Sequence, residues 1–286
     1  MLTFFLCYDY LVDMKETTDI NANEQKILLF RPIDDLLFNL MYQDKDACQE
    51  LIRTILEDDS LIVLEVRAQD TIPNLLGRGV RLDVTCKMQD GRIVNVEVQR
   101  FDSDDHYRRI RYNSSVLTAR HTSKGTDFKD VVDVYVIYIT EFDIIISEKT
   151  VCHIQSVIQE TGDVIDDGLH RIIVNAAKND GSKQARLMKH FRENYFEDDE
   201  FPETSKQIKY YKKNPEGRKN MCNLMQEIVN EEKARDLVRY IETIAESIRG
   251  TEEDACHILK VSYDDYKNAK KYIEEIEMKN FDKVIA

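Results

Sequence analysis

Two stretches near residue 90 alternate between hydrophobic and polar side chains. In the first, hydrophobic side chains recur at every second position, at Leu82, Val84, Cys86 and Met88. In the second they recur at Val94, Val96 and Val98. A period of two is typical of half-buried β-strands. The intervening Asp90-Gly91 predicts a tight turn, so residues 81–99 are expected to form a β-hairpin.

The length of the turn decides which residues of this hairpin face each other. A two-residue loop of Asp90 and Gly91 would place hydrophobic side chains opposite polar ones throughout. A three-residue loop over residues 89–91, with Gly91 in the left-handed region, matches the hydrophobic faces instead. Its pairs are Leu82 with Val98, Val84 with Val96 and Cys86 with Val94. We therefore predict the three-residue loop, which also places Asp83 opposite Glu97.

Two carboxylates that face each other directly are destabilising unless another group neutralises them. Arg81 or Lys87 would be a protein source of that charge, and a bound cation would be another. A hard divalent cation such as Mg²⁺ takes oxygen ligands of this kind. The alternative is an ordinary amphipathic hairpin whose polar face is in contact with water.

The remaining pattern predicts helices on both sides of a mixed sheet. Helical periodicity covers residues 25–56, with a helix start at Asp34-Asp35 after Pro32, and it returns at 107–121 and 181–196. Strands are expected at 61–66, 131–139, 151–160 and 165–175, and a loop at 73–79. The run at 131–139 is rich in β-branched residues, which is typical of a central strand buried on both faces. The expected fold class is an α/β sandwich.

An acidic break at residues 197–202 suggests a domain boundary. We expect a flexible segment at 1–25, an α/β domain at 26–200 and a helical region at 201–286, through which the chain would self-associate. The first thirteen residues are apolar but lack the basic region and cleavage site of a signal peptide, and Met14 is an alternative start. No stretch is long and apolar enough to predict a membrane segment.

Net charge, cysteine spacing and the distribution of basic residues limit which ligands the chain is expected to bind. The chain has 286 residues and a formal net charge of −14, which argues against general binding of polyanions. Its six cysteines are scattered without zinc-site spacing, as expected for free thiols in a reducing cytoplasm. Residues 106–126, however, contain five Lys or Arg, two histidines and no acid. This window predicts a local electropositive surface directly after the hairpin.

These features together suggest phosphodiester hydrolysis assisted by Mg²⁺ or Mn²⁺. Asp83 and Glu97 would be the metal ligands, joined by the backbone carbonyl of Val98. Gln99 would point at the attacking water or the scissile phosphate, and Asp35 would contribute through water. Phosphate contacts are expected from three arginines of the basic helix, Arg108, Arg109 and Arg111. The alternative for this helix is a solvated face whose arginines pair with the nearby acids at 102, 104 and 105.

Several of these segments resemble the PD-(D/E)XK nuclease superfamily, and within it the recombination-promoting nuclease and putative transposase family. The similar segments include Asp35-Leu-Leu-Phe38, Arg81-Leu-Asp83, Asn95-Val-Glu97-Val-Gln99, Arg108-Arg-Ile-Arg-Tyr-Asn-Ser, and the run from Lys124 to Thr140. The resemblance implies a restriction-endonuclease-like mixed sheet flanked by helices, with a C-terminal helical extension. It implies that Asp83 and Glu97 are metal ligands, that Gln99 occupies the position of the superfamily lysine, and that Asp35 is the acidic residue of the first helix. Asn39 stands where the family usually has a basic residue.

The expected function is metal-dependent cleavage of DNA in recombination or transposition, in the cytoplasm. The alternative is a catalytically degenerate nuclease fold that acts as a DNA-binding or regulatory module. Action on RNA is not excluded, because a metal site attacks phosphodiesters of either kind. Gln99 has no positive charge to offer the transition state, so the balance between these functions depends on it.

Overall fold

The computed structural model describes residues 20–72 and 79–285. Most of the predicted flexible segment at 1–25 lies outside these residues. So does nearly all of the predicted loop at 73–79. The helices are α1 (Ile20–Leu29), α2 (Asp35–Tyr42), α3 (Lys45–Leu56), α4 (His106–His121), α5 (Lys183–Phe191), α6 (Pro202–Lys213), α7 (Pro215–Ile248), α8 (Glu252–Leu259) and α9 (Tyr263–Ile285). The strands are β1 (Val63–Ile72), β2 (Val80–Met88), β3 (Ile93–Gln99), β4 (Val134–Thr140), β5 (Val151–Ile154), β6 (Ser156–Val157), β7 (Val164–Ile165) and β8 (Leu169–Asn175).

Six of the strands form one mixed sheet in the order β1-β2-β3-β4-β8-β5. The β1-β2-β3 part is antiparallel, β3, β4 and β8 are parallel, and β5 is antiparallel to β8. Strand β4 lies inside the sheet and is buried along nearly its whole length, as its β-branched sequence predicts. The predicted fold class, a mixed sheet flanked by helices with helices following it, is confirmed.

The sheet carries a hydrophobic layer on each face. On one face, side chains of β2, β3 and β4 pack with α2, α3, α5 and α6. On the other, a smaller cluster joins the sheet to α4, and its sheet members include Ile93, Val136 and Tyr138. The hairpin is therefore covered on both sides, and Asn95 and Glu97 of its polar face are buried. The alternative of a wet polar face is wrong, because α4 covers the side that periodicity alone assigns to water.

The hairpin register is confirmed where the two strands pair. Val84 pairs with Val96 and Cys86 with Val94, and the backbone N–H of Met88 donates to the carbonyl of Arg92. Gly91 closes the three-residue loop with φ +95°, in the left-handed region. Pairing stops beyond Val84, so the predicted contact of Leu82 with Val98 is not made. Leu82 instead joins the cluster under α4.

The helical stretch predicted over residues 25–56 is three helices. Helix α1 ends before Pro32, since proline disfavours helical geometry in the residue before it. Asp44 caps α3 by accepting hydrogen bonds from the backbone N–H groups of Asp46 and Ala47. Strand β1 continues to Ile72, well past the predicted end at 66.

The C-terminal helices contribute to two clusters. Helix α6 and the first turns of α7 pack into the main core through residues that include Ile208, Tyr211 and Met221. Later residues of α7 pack with α8 and α9 in a separate cluster around Ile241 and Tyr266. The division at residue 200 and self-association through residues 201–286 stay predictions. Within the described ranges, none of the helices combines the length and apolar character needed to cross a bilayer.

Candidate active site

The candidate site lies where the β2–β3 ladder stops. The N–H of Asp83 donates to Oε1 of Glu97 at 3.3 Å, and the N–H of Val98 donates to Oδ2 of Asp83 at 2.9 Å. Each carboxylate thus satisfies a backbone donor of the opposite strand in place of the missing ladder carbonyl. The predicted opposition of Asp83 and Glu97 is present in this form. It fixes both acids on backbone elements of the sheet.

Asn95 holds Glu97 in place on the same face of β3. Its Nδ2 donates to Oε1 of Glu97 at 2.8 Å and to the carbonyl of Val84 at 3.1 Å. Sequence reasoning missed Asn95 as a site residue. The signal was its position two residues before Glu97, which puts both side chains on one face of the strand.

Helix α2 brings a third carboxylate to the pair. Asp35, its first residue, is exposed and lies close enough to Asp83 for a side-chain hydrogen bond. Asn39, one turn later, donates from Nδ2 to Oδ1 of Asp35 at 2.8 Å. Asn39, at the position where the resemblance implies a basic residue, is thus an amide that orients a carboxylate. Asp35, Asp83 and Glu97 were named from the sequence and are brought together by the fold.

Burial strongly perturbs the two strand carboxylates. Desolvation raises the pKa of Glu97 from 4.5 to about 7, opposed by the hydrogen bond from Asn95. Desolvation, followed by repulsion from Glu97 and Asp35, raises the pKa of Asp83 well above its ordinary value. Near neutral pH the pair therefore retains protons that a cation would displace.

A positive charge acts on Glu97 from Arg109 of α4, which lowers the pKa of that carboxyl. Arg81 and Lys87, the cations considered from the sequence, are exposed. Arg109 is half-buried and its Nη2 also lies 3.2 Å from Asp105. The predicted alternative, in which arginines of this helix pair with the preceding acids, therefore holds for Arg109 only.

Two further arginines of α4 face outward, while its fourth arginine, Arg120, forms an ion pair with Asp70. Arg108 and Arg111 are exposed, and neither forms an ion pair with any residue in the described ranges. Both are available to an anionic ligand. The helix thus presents Arg109 toward the carboxylates and Arg108 and Arg111 toward solvent.

The hydrogen bond of the Gln99 side chain does not involve Asp83 or Glu97. Its Nε2 donates to the carbonyl of Phe101 at 2.7 Å, just beyond the end of β3. The expected role of Gln99 toward an attacking water or a scissile phosphate stays a prediction, and in this structure its amide donates to a backbone carbonyl. The cause is local, because the chain turns after Gln99 and offers a carbonyl two residues later.

The donor set fits a hard divalent cation in part. Asp83 and Glu97 provide carboxylate oxygens whose desolvated charge a cation would offset, and Mg²⁺ is commonly held by one or two carboxylates with water. Across residues 20–72 and 79–285, however, no group of three or more His, Cys, Asp or Glu side chains is arranged to hold a metal ion. A metal at this site would therefore depend on water and substrate for its remaining ligands.

Comparison with known proteins places most of the chain in one family. Residues 32–235 match the family described as PD-(D/E)XK nuclease family transposase. The match runs from just before α2 into α7 and includes every strand of the sheet. No curated protein and no solved structure matches the chain.

Proposed function

The chain belongs to the PD-(D/E)XK nuclease family of transposases, and on that basis we propose that it is a metal-dependent endonuclease that hydrolyses DNA phosphodiesters. The observation that carries the proposal is the pair Asp83 and Glu97, locked together at the end of the β2–β3 ladder. Asp35, which lies close to Asp83, is exposed to solvent and would thus be accessible to a substrate.

Asp83 and Glu97 would hold Mg²⁺ or Mn²⁺, with the carbonyl of Val98 as a further ligand and Asp35 acting through water. When bound, the cation supplies Lewis acidity toward the phosphate and a more acidic water. The protein's own contribution is to keep two desolvated carboxylates in fixed positions. Hydrogen bonds from Asn95 and the β3 backbone supply that rigidity.

Helix α4 would hold the DNA backbone beside this site. Arg108 and Arg111 are exposed, and charges of this kind contact phosphates without reading sequence. Arg109 is closer to the carboxylates and would lie near the reacting phosphate. The expected result is little sequence specificity, with a role in recombination or transposition.

The test is nicking of supercoiled plasmid DNA with Mg²⁺ or Mn²⁺. Asp83→Asn keeps the size of the side chain and removes the charge that holds the cation. We expect its rate to fall by about 100-fold or more, because metal catalysis is worth several kcal/mol. Asp90→Asn, at the exposed turn of the same hairpin, is the matched control and should retain activity. Equal rates for wild type and Asp83→Asn would show that the assigned site is wrong.

A second candidate function is that of a degenerate nuclease fold that binds DNA without cutting it. It is favoured by Gln99, which lacks the lysine charge and donates its amide to Phe101. Calorimetric titration separates the two functions, since the degenerate form should take up neither Mg²⁺ nor Mn²⁺. Parallel assays on single-stranded DNA, double-stranded DNA and RNA identify the substrate.

A further inference from the structure

A chain of hydrogen bonds runs from the protein surface into the sheet face that carries Glu97. Asp102 is exposed, and its Oδ1 lies 2.8 Å from Nε2 of His106 at the start of α4. Nδ1 of the same imidazole lies 3.1 Å from the hydroxyl oxygen of Tyr138 on β4. His106 and Tyr138 are both buried. The chain thus links a surface carboxylate to a buried hydroxyl.

Tyr138 is a direct neighbour of the candidate site. In the parallel β3–β4 ladder it pairs with Glu97, so the two side chains share one face of the sheet. The charges of Arg109, Glu97 and Asp83 all act on the Tyr138 hydroxyl. The inner end of the hydrogen-bond chain therefore lies among the same charged groups as the carboxylate pair.

The proton positions in this chain follow from the chemistry of its members. An ionised carboxylate accepts hydrogen bonds and donates none, so Nε2 of His106 carries a hydrogen toward Asp102. In neutral imidazole the other nitrogen is then an acceptor, and the Tyr138 hydroxyl donates to Nδ1. The Tyr138 oxygen keeps a lone pair that is able to accept a proton from water. A carboxylate that orients a histidine, which in turn accepts a hydrogen bond from a hydroxyl, is an arrangement in which the histidine can take the hydroxyl proton.

We propose that Tyr138, backed by His106 and Asp102, takes the proton from the water that attacks the phosphodiester. This inference rests on the proposed nuclease function. The water oxygen forms a bond to phosphorus, and the bond from phosphorus to the leaving oxygen breaks. One water proton passes to the Tyr138 oxygen as the hydroxyl proton of Tyr138 passes to Nδ1 of His106. The imidazolium is stabilised by Asp102 and later returns its proton to solvent, and the leaving oxygen takes a proton from solvent.

The proposal gives the site a group that can accept a proton, which Gln99 cannot do. The amide of Gln99 is not basic and already donates to the carbonyl of Phe101. In this proposal Tyr138 is the catalytic residue, because it is the group that accepts the proton of the attacking water. His106 and Asp102 act through it and are positioning residues. The rings of His106 and Phe142 also pack together, with centroids 5.1 Å apart, which restrains the imidazole.

The test compares single-turnover DNA cleavage by wild type, Tyr138→Phe and His106→Gln. General base catalysis contributes roughly 100-fold or more to rate, so we expect losses of that size with unchanged DNA affinity. The wild-type rate should show a solvent deuterium isotope effect that both variants lose. Tyr107→Phe and His121→Gln make the same substitutions at positions of α4 outside the hydrogen-bond chain, and they serve as matched controls.

A second measurement does not depend on activity. Nitrogen NMR of the imidazoles, with the His106 signals assigned from His106→Gln, should show hydrogen on Nε2 and a hydrogen-bonded, unprotonated Nδ1. The Nδ1 signal should shift in Tyr138→Phe. Hydrogen on Nδ1 with a bare Nε2 would overturn the inference, because Tyr138 would then have no base behind it.

The outcomes separate this inference from the nuclease function on which it rests. If wild type cleaves DNA and both variants cleave at its rate, the relay is wrong and the nuclease function stands. Slow variants that keep the wild-type isotope effect would also overturn the relay, since the residues would then only support the structure. If wild type cleaves no nucleic acid under any metal condition, the nuclease function fails and the relay fails with it.

Discussion

Replacing Glu97 by glutamine should make the protein more stable at alkaline pH while removing the proposed activity. Glutamine keeps an oxygen that accepts the hydrogen bonds from Asn95 and from the backbone of Asp83. It removes the charge that burial disfavours. The variant therefore isolates the electrostatic cost of the carboxylate pair from its packing.

The size of the effect follows from the perturbed pKa of Glu97. Because this pKa rises from 4.5 to about 7 on folding, the folded protein holds the proton to higher pH than the unfolded chain does. The unfolding free energy of wild type thus falls as the pH rises from about 4.5 through about 7. At about 1.4 kcal/mol per pH unit, the full loss is roughly 3 kcal/mol. Most of it should appear between about pH 5 and pH 8.

The assay is urea unfolding of wild type and Glu97→Gln at those two pH values. The variant should gain roughly 2 to 3 kcal/mol relative to wild type at the higher pH. Glu65→Gln, which removes an exposed partner of Arg67, is the control and should change stability by less than about 1 kcal/mol. If the difference between wild type and Glu97→Gln is the same at both pH values, Glu97 is not a desolvated, proton-holding group. Mg²⁺ should stabilise wild type at the higher pH and leave the variant unchanged.

Two further predictions concern the basic helix α4 and two glycines, Gly91 in the hairpin turn and Gly217 in α7. Arg108→Gln and Arg111→Gln should each weaken DNA binding equally for all sequences and reduce the salt dependence of the binding constant by about one counterion, as measured by fluorescence anisotropy over a salt series. Unchanged salt dependence would exclude them as phosphate contacts. Gly91→Ala should cost about 1 kcal/mol in urea unfolding, because its φ is +95° although a Cβ there meets open space. Gly217→Ala should cost more, because its Cβ would lie 2.3 Å from the carbonyl oxygen of Tyr210, and an equal cost for the two variants would contradict this reasoning.

The hairpin shows which features of the structure the local sequence pattern can predict and which it cannot. The three-residue loop and the pairs Val84–Val96 and Cys86–Val94 are predictable because faces alternate with a period of two and Gly91 permits a left-handed turn. The point at which the strands stop pairing is not predictable in this way. Beyond Val84, β2 stays paired with β1 while β3 stays paired with β4. That separation depends on what each strand packs against elsewhere.

The orientation of the arginines of α4 is likewise not predictable from the local sequence pattern. Sequence indicates a basic helix, but not which of its faces meets the sheet. Packing of Ile110 and Leu117 against β3 and β4 sets the rotation of the helix. That rotation brings Arg109 toward Glu97 and leaves Arg108 and Arg111 in solvent.

The sequence alone determined the mixed α/β class, the hairpin register, the family resemblance, and Asp35, Asp83 and Glu97 as one group. Each depends on local periodicity or on a motif of neighbouring residues. Tertiary structure decided that Asn95 fixes Glu97, that Gln99 turns to Phe101, and that a hydrogen-bond chain from the exposed Asp102 through the buried His106 extends to Tyr138 beside Glu97. It also decided that the carboxylates are desolvated. Desolvation and charge depend on every group that surrounds a side chain, and around Glu97 those groups come from β2, α2 and α4, which only folding brings together.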